Sequence, residues 1–283
     1  MAFLRILRTA QVTLSHTFYV DETATDAAGT VTVTVKRLDG TAVSSANAVH
    51  PGPAGVYTYA LPAQSTLDIL TVDWAGTVGG ASVTVRDYVE ICGGYLFGLA
   101  EARAMPPILD AVRFTTARLA AARLTVEEEA ETITGRAFVP RFKRIAVAGT
   151  DRNELVLPDT DIRTIRAVTI DGTAYSAPDI ANITVNPSGV ICNRYRTWWA
   201  RTQVVIEYEY GLDYPPVDIS QACMLRLRSI LTQAESGIPQ RAVSWTAAEG
   251  GVFRISLPSA LRTGVPDVDA VYDRWQGYVG GMA

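Results

Sequence analysis

Residues 216–231 read PVDISQACMLRLRSIL. Pro215-Pro216 opens the stretch, and a proline at the first helical position gives up a donor that would be unpaired there anyway. Ile219, Cys223, Leu227 and Ile230/Leu231 recur at helical spacing, and Ala222, Met224 and Leu225 widen that stripe. Only Asp218, Ser220, Gln221, Arg226, Arg228 and Ser229 are left for water. A helix this apolar has to be covered on several sides, so it is expected at the centre of a core. It is too short and too charged to span a bilayer.

Two further helices flank it in sequence. Between Thr115/Thr116 and Gly135, the residues Leu119, Ala122, Val126, Ala130 and Ile133 fall on one face. Threonine is a good N-cap, and glycine suits the left-handed residue that ends a helix. Glu127, Glu128, Glu129 and Glu131 load the rest of that helix, and such a run is read as a solvated face rather than an acid–base or metal site. The last helix is expected to start at Pro266, with Asp267 and Asp269 complementing its dipole and Val268, Val271, Tyr272, Trp275 and Val279 facing inward. A short helix over about 97–104 stops at Pro106-Pro107.

Strands fill the remainder. Residues 137–210 carry β-branched runs, the strongest being Val204–Tyr210, and Asp171-Gly172 is a hairpin signal. Arg194, Arg196, Trp198 and Trp199 mix cations with aromatics, a candidate interface cluster or a stacked barrel rim. Before Gly93-Gly94 the chain reads as all-β, with short alternating runs separated by Asp39-Gly40, Pro51-Gly52-Pro53 and Gly79-Gly80. That spacing suggests an immunoglobulin-like sandwich with Trp74 as its buried aromatic. The expected class is therefore α+β. An N-terminal sandwich spans residues 1–91. A helical region, 92–283, follows, with helices near 97–104, 116–134, 216–233 and 266–279 and an inserted small sheet or barrel near 137–210.

The totals narrow the function. A net charge of −4 argues against a general nucleic-acid binder held by a basic face. Lysine occurs only at Lys36 and Lys143, the other basic residues being arginine, a bias that a GC-rich coding sequence also produces. Three widely separated cysteines and no CxxC pair exclude a disulfide scaffold and suit assembly in a reducing compartment. The N-terminus has neither the apolar run nor the cleavage site of an export signal. The only histidines are His16 and His50, so a three-histidine metal site and a Ser-His or Cys-His pair in the helical region are unavailable. No glycine-rich phosphate loop, GxSxG or zinc spacing appears. The expectation is a non-enzyme with no cofactor and no metal.

Four segments, in order, resemble head-to-tail adaptor (connector) proteins of tailed bacteriophages, especially those of actinobacterial hosts. They are Leu99–Pro107, the acidic helix with Ile133–Arg141, Glu207–Pro216, and Thr263–Val271. The likeness covers roughly residues 90–283, and the N-terminal β region departs from the minimal adaptor. The resemblance implies a structural protein of the virion neck, made in the host cytoplasm and outside any membrane. Such proteins form a ring, typically dodecameric, docked on the portal protein. The ring extends the DNA channel, lets the genome pass without sequence-specific binding, and receives a stopper or tail-completion protein. In that family the C-terminal segment tends to dock on the portal; the matching positions include Val265, Pro266, Val268, Val271, Tyr272 and Trp275. The alternative is a β-rich carbohydrate-binding, baseplate or decoration protein working through Tyr57, Tyr59 and Trp74 of the sandwich.

Overall fold

Alternating β-branched and aromatic residues build the first third of the chain. The computed structural model describes residues 3–198, 201–233, 242–246, 252–255 and 262–276. Its opening strands are β1 Phe3–Leu7, β2 Val12–Thr17, β3 Tyr19–Val20, β4 Thr23–Ala24, β5 Thr32–Arg37, β6 Ala42–Asn47, β7 Val56–Leu61, β8 Asp68–Val78 and β9 Ala81–Cys92. Five of them form one sheet in the order β1-β9-β8-β5-β6, in which β1 runs parallel to β9. Strands β2 and β7 pair antiparallel beside it. Gly79 and Gly80, at φ 59° and 82°, turn β8 into β9, a conformation open to glycine without steric cost. Val33, Val35, Val72, Trp74 and Ile91 from the sheet and Leu14, Tyr57 and Leu61 from the β2–β7 pair bury in one core.

The chain then enters α1 Leu99–Arg103 and α2 Thr116–Thr134. The ends of α2 follow the local chemistry. Thr115 accepts a hydrogen bond from the Arg118 amide at 3.3 Å, and Gly135 closes the helix at φ 67°.

A second set of strands follows: β10 Arg141–Ala148, β11 Glu154–Val156, β12 Ile162–Ile170, β13 Thr173–Ala174, the short helix α3 Ala177–Ala181, then β14 Ile183–Val185, β15 Val190–Asn193 and β16 Gln203–Tyr210. They pair as β10-β16-β12-β13 and β11-β15-β14. Asp171 and Gly172, both at positive φ, make the β12–β13 turn. Leu155, Val168, Ile191, Trp198, Ile206 and Tyr208 form this second core.

The chain ends in α4 Val217–Gln233, a hairpin of β17 Ala242–Thr246 and β18 Val252–Ile255, and α5 Pro266–Trp275. Pro216 stands one place outside α4, its carbonyl accepting from the Ser220 amide at 3.0 Å. The expectations Gln221 and Arg228 do face water, but Arg226 and Ser229 are buried. Val279 lies outside the described residues.

The fold is thus mixed α+β, and its contacts divide it into two compact units. One combines Met1–Gly94 with Pro140–Tyr210; the other combines Tyr95–Val139 with Gly211–Ala283. Within the first unit a buried charge cluster joins the two strand regions. Glu90 on β9 accepts from Arg5 on β1 at 2.9 Å and from Arg141 on β10 at 2.6 Å. Gly93 donates its amide to the Pro140 carbonyl at 2.9 Å, and a Cβ at position 93 would meet the Pro140 ring at 2.7 Å.

Candidate functional site

In the helical unit, α2, α4 and α5 share one core. Leu119, Val126, Ala130 and Ile133 of α2 meet Ile219, Cys223 and Leu227 of α4 and Val268 and Tyr272 of α5. The acidic run of α2 is not uniformly solvated. Glu128 is exposed, but Glu127 is fully buried, taking the Leu96 amide at 2.8 Å. An ionised carboxylate in such a place is tolerable only with donors around it. Glu129 in turn takes two hydrogen bonds, of 2.7 and 2.8 Å, from the buried Arg226. Three neighbouring glutamates therefore have three different tasks, and only Glu128 fits the solvated-face expectation.

Helix α5 is fastened at both ends. Asp269 accepts from the Thr263 amide and hydroxyl, each at 2.8 Å, and from the Gly264 amide at 3.2 Å. Those three bonds fix the turn entering the helix, with Gly264 at φ 79°. At the other end Trp275 donates Nε1–H to Asp218 at 2.9 Å and sets its ring edge-on to Phe138. Between them Tyr272 places its hydroxyl 3.5 Å from Cys223 Sγ. Burial pushes the Cys223 thiol up to about 12 and raises the Tyr272 phenol as well. Both are neutral packing groups, not nucleophiles. Of the expected docking residues, Val268 and Tyr272 are spent within the chain's own core. Val265, Val271 and Trp275 are partly buried against that core, and Pro266 is exposed.

The arginine–aromatic stretch divides in a similar way. Trp198 is buried in the second core and donates Nε1–H to the Asn153 carbonyl at 3.0 Å. Its ring stacks on Tyr175, centroids 6.3 Å apart, and the Arg196 guanidinium lies 5.4 Å from the centre of the same Tyr175 ring. Arg196 also pairs with Asp179 at 2.9 Å. Arg194 and Tyr195 are exposed beside a shallow groove of about 480 Å³. Trp199 lies outside the described residues.

Residues 118–228 match the model of the head completion protein family.

That head completion segment runs from the first turn of α2, through the whole strand insert, to Arg228 of α4. It leaves out residues 1–117 and α5. The match covers less than half of the chain, and it is a likeness of that segment to head completion proteins. Among solved structures, a chain from the neck of an empty gene transfer agent particle, computed with C6 symmetry, is similar at 18% identity. It covers 66% of this chain and 94% of that one, with a TM-score of 0.43. A chain from the virion of a native gene transfer agent particle is similar at 18% identity, over 66% of this chain and 93% of that one, with a TM-score of 0.43. Likenesses of that degree carry no functional argument. No curated protein matches the sequence.

A cleft of about 480 Å³ between the first sheet and the insert is lined by Arg37, Asp68, Arg166, Glu207 and Glu209. Arg37 pairs with Asp68 at 3.2 Å, Arg166 with Glu209, and Arg144 with Glu207. His16 and His50 each contact an aspartate, Asp87 and Asp26, at 3.2 and 3.0 Å. Among the described residues no three His, Cys, Asp or Glu side chains gather as metal ligands, and no helix is long and apolar enough to cross a membrane.

Proposed function

We propose that this chain forms a homo-oligomeric ring in the virion neck, docked on the portal protein, where it prolongs the DNA channel and receives a stopper or tail-completion protein. The observation that carries the reading is the head completion match across α2, the insert and α4. It spans the middle pair of the four ordered segments that resemble phage adaptors. The work is mechanical: no bond is made or broken, and no cofactor takes part. A net charge of −4 suits a conduit, because phosphate held by many arginines would not slide. Twelve copies are expected by resemblance to the adaptors.

Docking on the portal is assigned to the α5 segment. With Val268 and Tyr272 turned inward, the outward face around Pro266, Asp267 and Arg274 meets the partner. The N-terminal strands are read as an immunoglobulin-like domain added to the adaptor, supported by Trp74 buried between the main sheet and the β2–β7 pair. Tyr57, Tyr59 and Trp74 are all buried, which leaves the sugar-binding alternative without a stacking platform. The test is a particle map at side-chain resolution, together with negative-stain images of the purified chain mixed with portal. Rings at the head–tail junction are expected. A well-resolved junction lacking this chain would overturn the reading.

A further inference from the structure

Helix α4 keeps most of its apolar surface inside, yet one edge stays out. Val217 is 73% and Leu225 43% exposed, with Gln221 and Arg228 exposed along the same line. Residues spaced by four, four and three lie one above another on a helix. Helix α2 exposes a line with that same spacing: Ala117, Ala121, Thr125 and Glu128.

The two lines are complementary in relief and in sign. That of α4 carries large side chains and ends in a cation; that of α2 carries small ones and ends in a carboxylate. The adjacent charges, Arg226 and Glu129, already bond to each other inside the unit. Arg228 and Glu128 have no ion-pair partner among the described residues. Exposed Val and Leu beside an uncompensated arginine describe a contact surface whose occupant brings a small-residue track and a negative end.

We propose that a second copy of the chain supplies that track. The α4 line of one copy lies parallel along the α2 line of the next, with Val217 over Ala117, Leu225 over Thr125 and Arg228 against Glu128. The inference rests on the ring reading above and names its subunit contact. Because two different surfaces engage, the contact is head-to-tail, and it propagates until rotation closes it.

The experiment uses the full chain, with and without purified portal, followed by sedimentation velocity and negative-stain microscopy. Arg228→Glu and Glu128→Arg are each expected to raise the concentration for half-assembly by about ten-fold or more, ~1.4 kcal/mol per contact. The double reversal is expected to recover the parent's assembly, and Leu225→Asp to weaken it without rescue. All these positions are exposed, so circular dichroism and melting temperature should match the parent. Single reversals that assemble like the parent, or a double reversal that fails to recover, would overturn the contact while leaving the ring standing. A parent that stays monomeric even on portal would remove both. Normal rings that lose portal binding in Leu225→Asp would hand the α4 edge to the portal and overturn the proposal.

Discussion

Arg141 reaches Glu90 across 2.6 Å inside the protein, and Arg5 reaches the same carboxylate oxygen at 2.9 Å. The three side chains are almost wholly buried and come from β10, β9 and β1. One carboxylate thus holds two guanidinium groups in a place where a lone charge is costly.

Removing that carboxylate should be expensive. Breaking a buried ion pair by deleting one partner costs about 3–5 kcal/mol, because the surviving charge stays buried. Glu90→Gln is expected to lose roughly that much in urea unfolding of the full chain. Arg37→Gln, at a pair whose arginine is half in solvent, should lose about 0–1 kcal/mol. Equal losses would mean that the cluster does not clamp the first unit.

Two aspartates of β8 should give opposite pH dependences. Burial raises the Asp68 carboxyl, only partly offset by the Ile69 amide and Arg37. Hydrogen bonds from Arg86 lower the Asp73 carboxyl, against some desolvation. A raised carboxyl adds stability that is full below its unfolded value, near 3.8, and lost as pH rises through its folded value. A lowered carboxyl adds stability that is full above its unfolded value and lost as pH falls through its folded value. Asp68→Asn should therefore match or exceed the parent's melting temperature at neutral pH and lose that advantage in acid. Asp73→Asn should melt lower than the parent at neutral pH and converge with it in acid. Parallel melting curves against pH would contradict both assignments.

Cysteine labelling should be ordered by environment. Cys223 is buried, with its thiol pushed up to about 12, and Cys92 is buried with its Sγ–H on the Ile6 carbonyl at 3.3 Å. Cys192 is partly exposed. The thiolate is the reacting form. Iodoacetamide on the native protein should modify Cys192 first, with Cys223 at least an order of magnitude slower until denaturant is added. Peptide mass spectrometry reads the order, and early loss of Cys223 would contradict the packing of α4 against α5.

The turn entering α5 should depend on Asp269. Asp269→Ala leaves three donors without their acceptor, a loss of about 1–3 kcal/mol. Tyr272→Ala empties a fully buried aromatic site and should cost about 3–5 kcal/mol. Hydrogen exchange over residues 266–275 is expected to quicken in both variants. Unchanged exchange in Asp269→Ala would show that the helix holds without its entry turn.

Much of the architecture was legible where the signal is local. Thr115 and Gly135 bracket α2 because a cap and a left-handed terminator act within one turn of chain. Asp171-Gly172 marks its hairpin for the same reason. What escaped depends on distant partners. Glu127 looks like its neighbours in a run of acids, yet it is buried and takes the Leu96 amide, far back in the chain. Arg226 reads as a solvent residue until Glu129 is placed opposite. Trp198 reads as an offered aromatic, yet its indole is tied to Asn153 and covered by Tyr175. Equally, nothing in the pattern of residues 137–210 announces that they group with residues 1–94, because the links are long-range: Arg141 to Glu90, Gly93 to Pro140 and Arg166 to the Leu67 carbonyl.

The interleaved chain path has a consequence for biosynthesis. A ribosome releases β1 to β9 early, but their buried Glu90 must wait for Arg141. Helix α2 emerges next, with its oily face bare, and its cover on α4 begins only at Val217, after the entire insert has been translated. Neither unit is a contiguous stretch that matures by itself at the exit tunnel. The nascent polypeptide therefore carries a sticky, unfinished helix for much of its elongation, a window in which trigger-type chaperones have most to protect.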